Sequence, residues 1–214
     1  MIEQRFNRFR RFLQLALAVF ALTFVTGVVQ AKSAHILILG DSLSAGYGLS
    51  SGEGWVDLLT KKLTAEKIPV TVTNASISGD TTAGGLSRLP ALLEKHSPTL
   101  VVIELGGNDG LRGSPVAAAR ANLLKMAKLS HAAGAKVLIV GMRMPQNFGP
   151  AYTTQFETMY GEVARAVNCA LVPFFLEKIA TDLSKFQPDR IHPSAAAQPA
   201  LLSTVWPILV KLLK

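Results

Sequence analysis

Three runs in this chain, Ile36-Leu37-Ile38-Leu39, Leu100-Val101-Val102-Ile103 and Val137-Leu138-Ile139-Val140, are apolar at every position. A strand with one wet face alternates apolar and polar residues, so a run with no polar member has both faces covered. That is the signature of a parallel sheet held between helix layers. Strand-like segments at about 35–40, 70–74, 99–104, 136–141 and 169–172 alternate with longer stretches whose apolar residues recur every three or four positions. Helices are predicted near 54–67, 82–96, 115–132, 153–167 and 194–213, with Ser114-Pro115 as a cap and first turn and Gly134 as a stop. The expected fold is α/β: a three-layer α/β/α sandwich with a five-stranded parallel sheet. Handed crossovers then gather every loop that follows a strand on one edge.

The amino terminus stands apart. Arg5, Arg8, Arg10 and Arg11 precede a charge-free stretch from Phe12 to Val29, and Val29-Gln30-Ala31 presents small residues three and one before a cut after Ala31. Residues 1–31 therefore read as a signal peptide, with an uncleaved amino-terminal anchor as the alternative, since the stretch reaches the lower length of a membrane span. Either reading places the domain at 32–214 outside the cytoplasm, in the periplasm or secreted, or anchored to the inner membrane and facing the periplasm. The chain's net charge is +8, of which the leader holds +3. The remaining excess is mild and no Arg-rich run with interleaved aromatics appears, so a nucleic-acid partner is not expected. Membrane contact is expected only through the leader or, weakly, through surface charge such as Lys61, Lys62 and Lys67 on one helix. The lone Cys169 excludes an intramolecular disulfide and reads as a buried small hydrophobe. The four histidines, His35, His96, His131 and His192, show no metal-ligand spacing.

Chemistry concentrates in the loops after strands. Ser42, in Gly40-Asp41-Ser42-Leu43-Ser44, lies where the first apolar run meets a turn, at the edge where open α/β sheets bind ligands. Gly-Asp-Ser is also ordinary turn chemistry, so the other loops must supply a base, a group to orient it, and donors for an oxyanion. Gly79, in Asn74-Ala75-Ser76-Ile77-Ser78-Gly79-Asp80, can turn a backbone N–H toward that oxyanion, or can simply precede a helix. Asn108, in Gly106-Gly107-Asn108-Asp109-Gly110, offers a side-chain amide that stabilises charge without titrating. Asp109 is expected to bond its own loop, and Arg112 to be solvated or to attract an anionic headgroup. Asp189-Arg190-Ile191-His192 sets a carboxylate three residues before an imidazole, so one short loop can present an oriented base; a helix-capping Asp beside an incidental His is the plainer alternative. His35 falls on the opposite sheet edge, and His96 and His131 near helix ends.

The elbow Gly-x-Ser-x-Gly is absent, because Ser44 stands second after Ser42. Together, Gly40-Asp41-Ser42-Leu43, Gly79, Gly106-Gly107-Asn108-Asp109 and Asp189-x-x-His192 resemble the GDSL/SGNH hydrolase family in type, order and spacing. The resemblance spans about residues 34–212, and segments 74–81, 103–113 and 188–193 look similar to bacterial periplasmic members with acyl-CoA thioesterase, arylesterase and lysophospholipase activity. It implies a flavodoxin-like sheet, Ser42 as nucleophile, Asp189 and His192 completing the triad, and the backbone N–H groups of Ser42 and Gly79 with the Asn108 side chain as oxyanion hole. Arg190 stands where relatives often have glycine, which bears on the rim rather than on catalysis. The leader also looks longer than is usual in the family.

The function so implied is a serine esterase that needs no cofactor or metal. Its partners would be small-molecule acyl esters or thioesters, including aryl esters, acyl thioesters and lysophospholipids, cleaved through an acyl-enzyme. Leu111, Pro145, Phe148 and Tyr152 lie on loops expected at the catalytic edge and are candidates to line an acyl groove; Met142, Met144 and Phe148 serve equally well as loop packing. The alternatives are a carbohydrate O-acetyl esterase and a noncatalytic envelope protein that binds lipid or peptidoglycan fragments.

Overall fold

The computed structural model describes residues 34–214; the expected leader at 1–31, with its expected cut after Ala31, lies outside the described residues. Five strands, β1 (Ala34–Gly40), β2 (Val70–Asn74), β3 (Leu100–Glu104), β4 (Lys136–Val140) and β5 (Ala170–Val172), form one sheet in the order β2-β1-β3-β4-β5. Every neighbouring pair is parallel. The helices are α1 (Ser42–Ala45), α2 (Trp55–Ala65), α3 (Thr82–His96), α4 (Gly107–Leu111), α5 (Val116–Ala132), α6 (Pro150–Val167) and α7 (Gln198–Leu212).

Successive strand residues point to opposite faces, and the apolar runs serve two cores at once. Ile36, Ile38, Leu100, Val102, Leu138 and Val140 pack with Trp55 and Leu59 of α2 and Leu201 and Val205 of α7. Leu37, Leu39, Val101, Ile103, Val137 and Ile139 pack with Leu89 of α3, Leu123 and Met126 of α5, and Phe156 and Tyr160 of α6. Each such fully buried aliphatic side chain contributes about 1.5–3 kcal/mol of transfer free energy, so the two faces of the sheet supply the main driving force for the layering.

Local signals account for most boundaries. Thr81 caps α3 by accepting the Gly84 N–H, and Gly134 follows α5 at φ +82 with its N–H bonded to the His131 carbonyl. Ser114 does not cap α5: Pro115 holds that place and the helix begins at Val116. The helix expected from 153 begins at Pro150, whose missing N–H costs nothing in the first turn. The last helix expected from 194 is preceded by a separate 3-10 turn, Ala195–Ala197.

Candidate active site

The site grows from β1, which lies between β2 and β3 where the strand order reverses, the position at which such sheets open a crevice beyond their carboxyl ends. Ser42 is the first residue of α1, and Asp41 caps that short helix by accepting the Leu43 N–H at 3.0 Å. No room exists for a side chain at Gly40, where a Cβ would lie 2.8 Å from both the Glu104 carboxyl and Ser44. The backbone must therefore pass close over the end of β3, and this delivers Ser42 to the edge.

The second component comes from the long connector between β5 and α7. Asp189 Oδ2 lies 2.7 Å from His192 Nδ1, and His192 Nε2 lies 2.9 Å from Ser42 Oγ. Asp189 Oδ1 accepts the N–H groups of His192 and Ile191 at 3.0 and 2.9 Å. The His192 backbone N–H, then its ring and the Ile191 N–H, hold the Asp189 carboxyl down to about 2, so it is ionised at neutral pH. An ionised carboxylate only accepts, which assigns the proton on His192 to Nδ1 and leaves Nε2 to accept from the serine hydroxyl. The turn is fixed from behind: Gln198 donates to the Pro193 and Ser194 carbonyls and accepts the Trp55 N–H at 3.0 Å.

Asn108, in α4 after β3, faces the same space. Its Nδ2 donates to the Asp80 carbonyl at 2.9 Å and to Asp41 Oδ2 at 3.1 Å, so the amide is held between the second and first blocks. Asp109 does not bond its own loop side chains as expected. Its carboxylate accepts the Thr82 N–H at 2.9 Å and hydroxyl at 2.6 Å, tying α4 to the start of α3. Gly79 adopts φ +79, and its carbonyl accepts from Arg112 at 2.9 Å. Gly106 is required twice over: φ is +117, and a Cβ would meet the Tyr160 hydroxyl at 2.4 Å.

An apolar groove of about 330 Å³ starts at Gly107, beside Asn108, and runs between Leu111, Met142, Met144, Pro145, Phe174 and Ile191. Leu111 and Pro145 thus line it. Phe148 and Tyr152 do not: Tyr152 stacks between Phe148 and Phe156 and gives its hydroxyl to the Gly110 and Ser114 carbonyls. Cys169 is half-buried rather than enclosed, with burial pushing its thiol up to about 11. His35, at the far edge as expected, bonds Thr73 at 2.8 Å, and His96 packs edge-on against it rather than standing free in solvent.

A feature missed from sequence is the buried acid beneath the serine. Glu104 is fully enclosed; its Oε2 accepts from Ser44 at 2.7 Å, Ser44 in turn accepts from the Trp55 indole at 3.2 Å, and Oε1 has no partner among the described residues. Burial, then the neighbouring Asp41 charge, pushes the Glu104 carboxyl well above the usual range. Burial likewise lifts Asp41 to about 6. The signal lay in Leu100-Val101-Val102-Ile103-Glu104: an acid closing an otherwise apolar strand.

The family model for the GDSL-like lipase/acylhydrolase family matches residues 38–199. Esterase TesA of Pseudomonas aeruginosa is 54% identical over 184 residues, covering 86% of this chain and 92% of that protein. Thioesterase 1/protease 1/lysophospholipase L1 of Escherichia coli strain K12 is 43% identical over 169 residues, 79% of this chain and 80% of the relative. The psychrotrophic esterase EstA from Pseudoalteromonas sp., solved in a form inhibited by monoethylphosphonate, superposes with a TM-score of 0.80 at 44% identity. That match covers 84% of this chain and 98% of that one. With sheet order, loop chemistry and extended identity in agreement, the chain belongs to the GDSL-like lipase/acylhydrolase family and is a serine esterase.

Proposed function

We propose that Ser42, His192 and Asp189 are the catalytic triad, with the Ser42 and Gly79 N–H groups and the Asn108 amide as oxyanion donors. The observation that carries this reading is the unbroken chain from Asp189 Oδ2 through the His192 ring to Ser42 Oγ, at 2.7 and 2.9 Å. Ser42 Oγ attacks the acyl carbon as its proton passes to His192 Nε2, and the carbonyl oxygen becomes an oxyanion at the donor cluster. The carbon–oxygen or carbon–sulfur bond of the leaving group then breaks. The leaving group takes the proton from His192, and an acyl-Ser42 ester remains. Water, deprotonated by His192, attacks that ester and releases the acid and the free serine. Throughout, Asp189 keeps its charge and steadies the imidazolium.

The substrates proposed are aryl esters, acyl thioesters and lysophospholipids, taken in the periplasm or outside the cell after export directed by residues 1–31. The apolar groove beside Asn108 supports medium and long acyl chains over acetyl groups alone. A fluorophosphonate probe tests the nucleophile: wild-type protein is labelled and Ser42→Ala is not, and equal labelling of the two refutes the assignment. Rates across acyl chains from about two to sixteen carbons, beside an acetylated sugar, test the substrate class. A preference confined to acetyl refutes the lipid reading.

A further inference from the structure

Among the described residues, five large apolar side chains stand between 43% and 63% exposed: Tyr47, Ile77, Leu111, Leu183 and Ile191. Isolated exposed apolar residues are ordinary on a protein surface; a set confined to one site is not. Each of the five follows the carboxyl end of a strand: Tyr47 after β1, Ile77 after β2, Leu111 after β3, and Leu183 and Ile191 after β5. The Tyr47 ring lies 4.5 Å from the His192 ring, and the Ile77 N–H donates to the carbonyl of Gly40, two residues before Ser42. Ile191 adjoins His192, Leu111 comes three residues after Asn108, and Leu183 comes three residues before Phe186, which lines the groove and bridges to Pro193 beside His192.

The two arginines that adjoin the mouth are unpaired: Arg112 and Arg190 are exposed and form no ion pair among the described residues, whereas Arg143 is paired with Glu157. Of the acids on these loops, Asp189 bonds His192 and Asp80 pairs with Arg88, whereas Asp182 bonds only Ser184, and the exposed Glu53 and Glu177, farther along their loops, form no ion pair among the described residues. Arg190 is also held at φ +59, a conformation that disfavours side chains, yet an arginine is kept there between the two triad members of the connector. An apolar ring set with unpaired cations around a catalytic mouth complements a surface that is negative at the headgroups and apolar just beneath.

We propose that the ring of Tyr47, Ile77, Leu111, Leu183 and Ile191, with Arg112 and Arg190, seats the catalytic mouth on the surface of an anionic lipid bilayer. The ester then passes from the lipid surface into the groove without crossing open water. Docking itself does not depend on the triad assignment, although its use does.

The test reads position, so that tethering through residues 1–31 cannot imitate it. In a Cys169→Ser background, an environment-sensitive fluorophore is placed at Ile77→Cys, or at His131→Cys before β4 on the opposite edge, and vesicles of phosphatidylglycerol are added. A blue shift at 77 and none at 131, weakened by 0.5 M salt (Debye length about 4 Å) and by replacing the lipid with phosphatidylcholine, is expected. The pair Ile77→Ser and Leu183→Ser, labelled at neither site, lowers vesicle partitioning at least about tenfold relative to wild type. No shift at 77, or equal shifts at both positions, overturns the proposal. So does a shift at 77 that depends on protein concentration without lipid, which would mean that a second copy of the chain covers the ring. Fluorophosphonate labelling of the same samples reports the triad separately, so intact labelling without docking rejects the ring alone.

Discussion

Replacing Asn108 with alanine separates the bonds that its amide makes in the structure from the oxyanion role proposed for it. In the resting protein its Nδ2 bonds the Asp80 carbonyl at 2.9 Å and Asp41 Oδ2 at 3.1 Å. Above pH 6 the Asp41 carboxyl is ionised, so these bonds are one neutral interaction, about 0.5–1.5 kcal/mol, and one to a charge, about 1.5–3 kcal/mol. The combined loss of about 2–4.5 kcal/mol lowers Tm by about 4–18 °C in a domain of this size. In the proposed reaction the same amide stabilises the oxyanion, and losing one such donor costs about 100- to 1,000-fold in turnover, equivalent to about 2.7–4 kcal/mol. The assay is steady-state hydrolysis of a soluble aryl ester at pH 8, well below the variant's own Tm, with KM and kcat resolved. The expected outcome is a fall in kcat with KM close to wild type. A variant whose Tm drops while kcat stays within about threefold of wild type refutes the oxyanion role.

Glu104→Gln keeps the size of the side chain and an acceptor for Ser44, so its stability falls by less than about 1 kcal/mol. Glu104→Ala strands the Ser44 hydroxyl and costs about 1–3 kcal/mol; equal losses in the two variants by chemical denaturation would refute the acceptor role. Asp41 rises from 3.8 to about 6 on folding, so between those values the native state holds a proton that the unfolded chain has lost. Its contribution therefore falls as pH rises from about 4 to about 6. Subtracting the stability profile of Asp41→Asn from that of wild type isolates this slope, and a difference that increases with pH across that window contradicts the assignment.

The parts of the fold that were legible are those where burial dictates composition. The strands β1, β3 and β4 announce themselves because both faces are covered, and α3 begins at Thr82 and ends at His96 as periodicity and capping require. The short helices α1 and α4 were not legible, since four or five residues carry no period and depend on tertiary partners such as Asp41 and Tyr160. The residues brought together at the site were legible because each loop had a chemistry that its turn alone did not need. Loop membership, however, cannot distinguish the groove from the packing behind it: Leu111 and Pro145 line the groove, whereas Phe148 and Tyr152 stack beside Phe156. Glu104 went unread because a strand residue is judged by its neighbours in sequence, whereas its partners Ser44 and Asp41 arrive from β1's far end.

Asp189 clamps both the ring and the main chain of His192 within a single four-residue turn. Acid and base thus travel as one rigid cassette, and their mutual alignment survives any swing of the connector that carries them. Only the gap between Nε2 and the serine oxygen responds to such a swing. Under the proposed mechanism, changes elsewhere in the connector act on that one distance and leave the alignment of acid and ring intact.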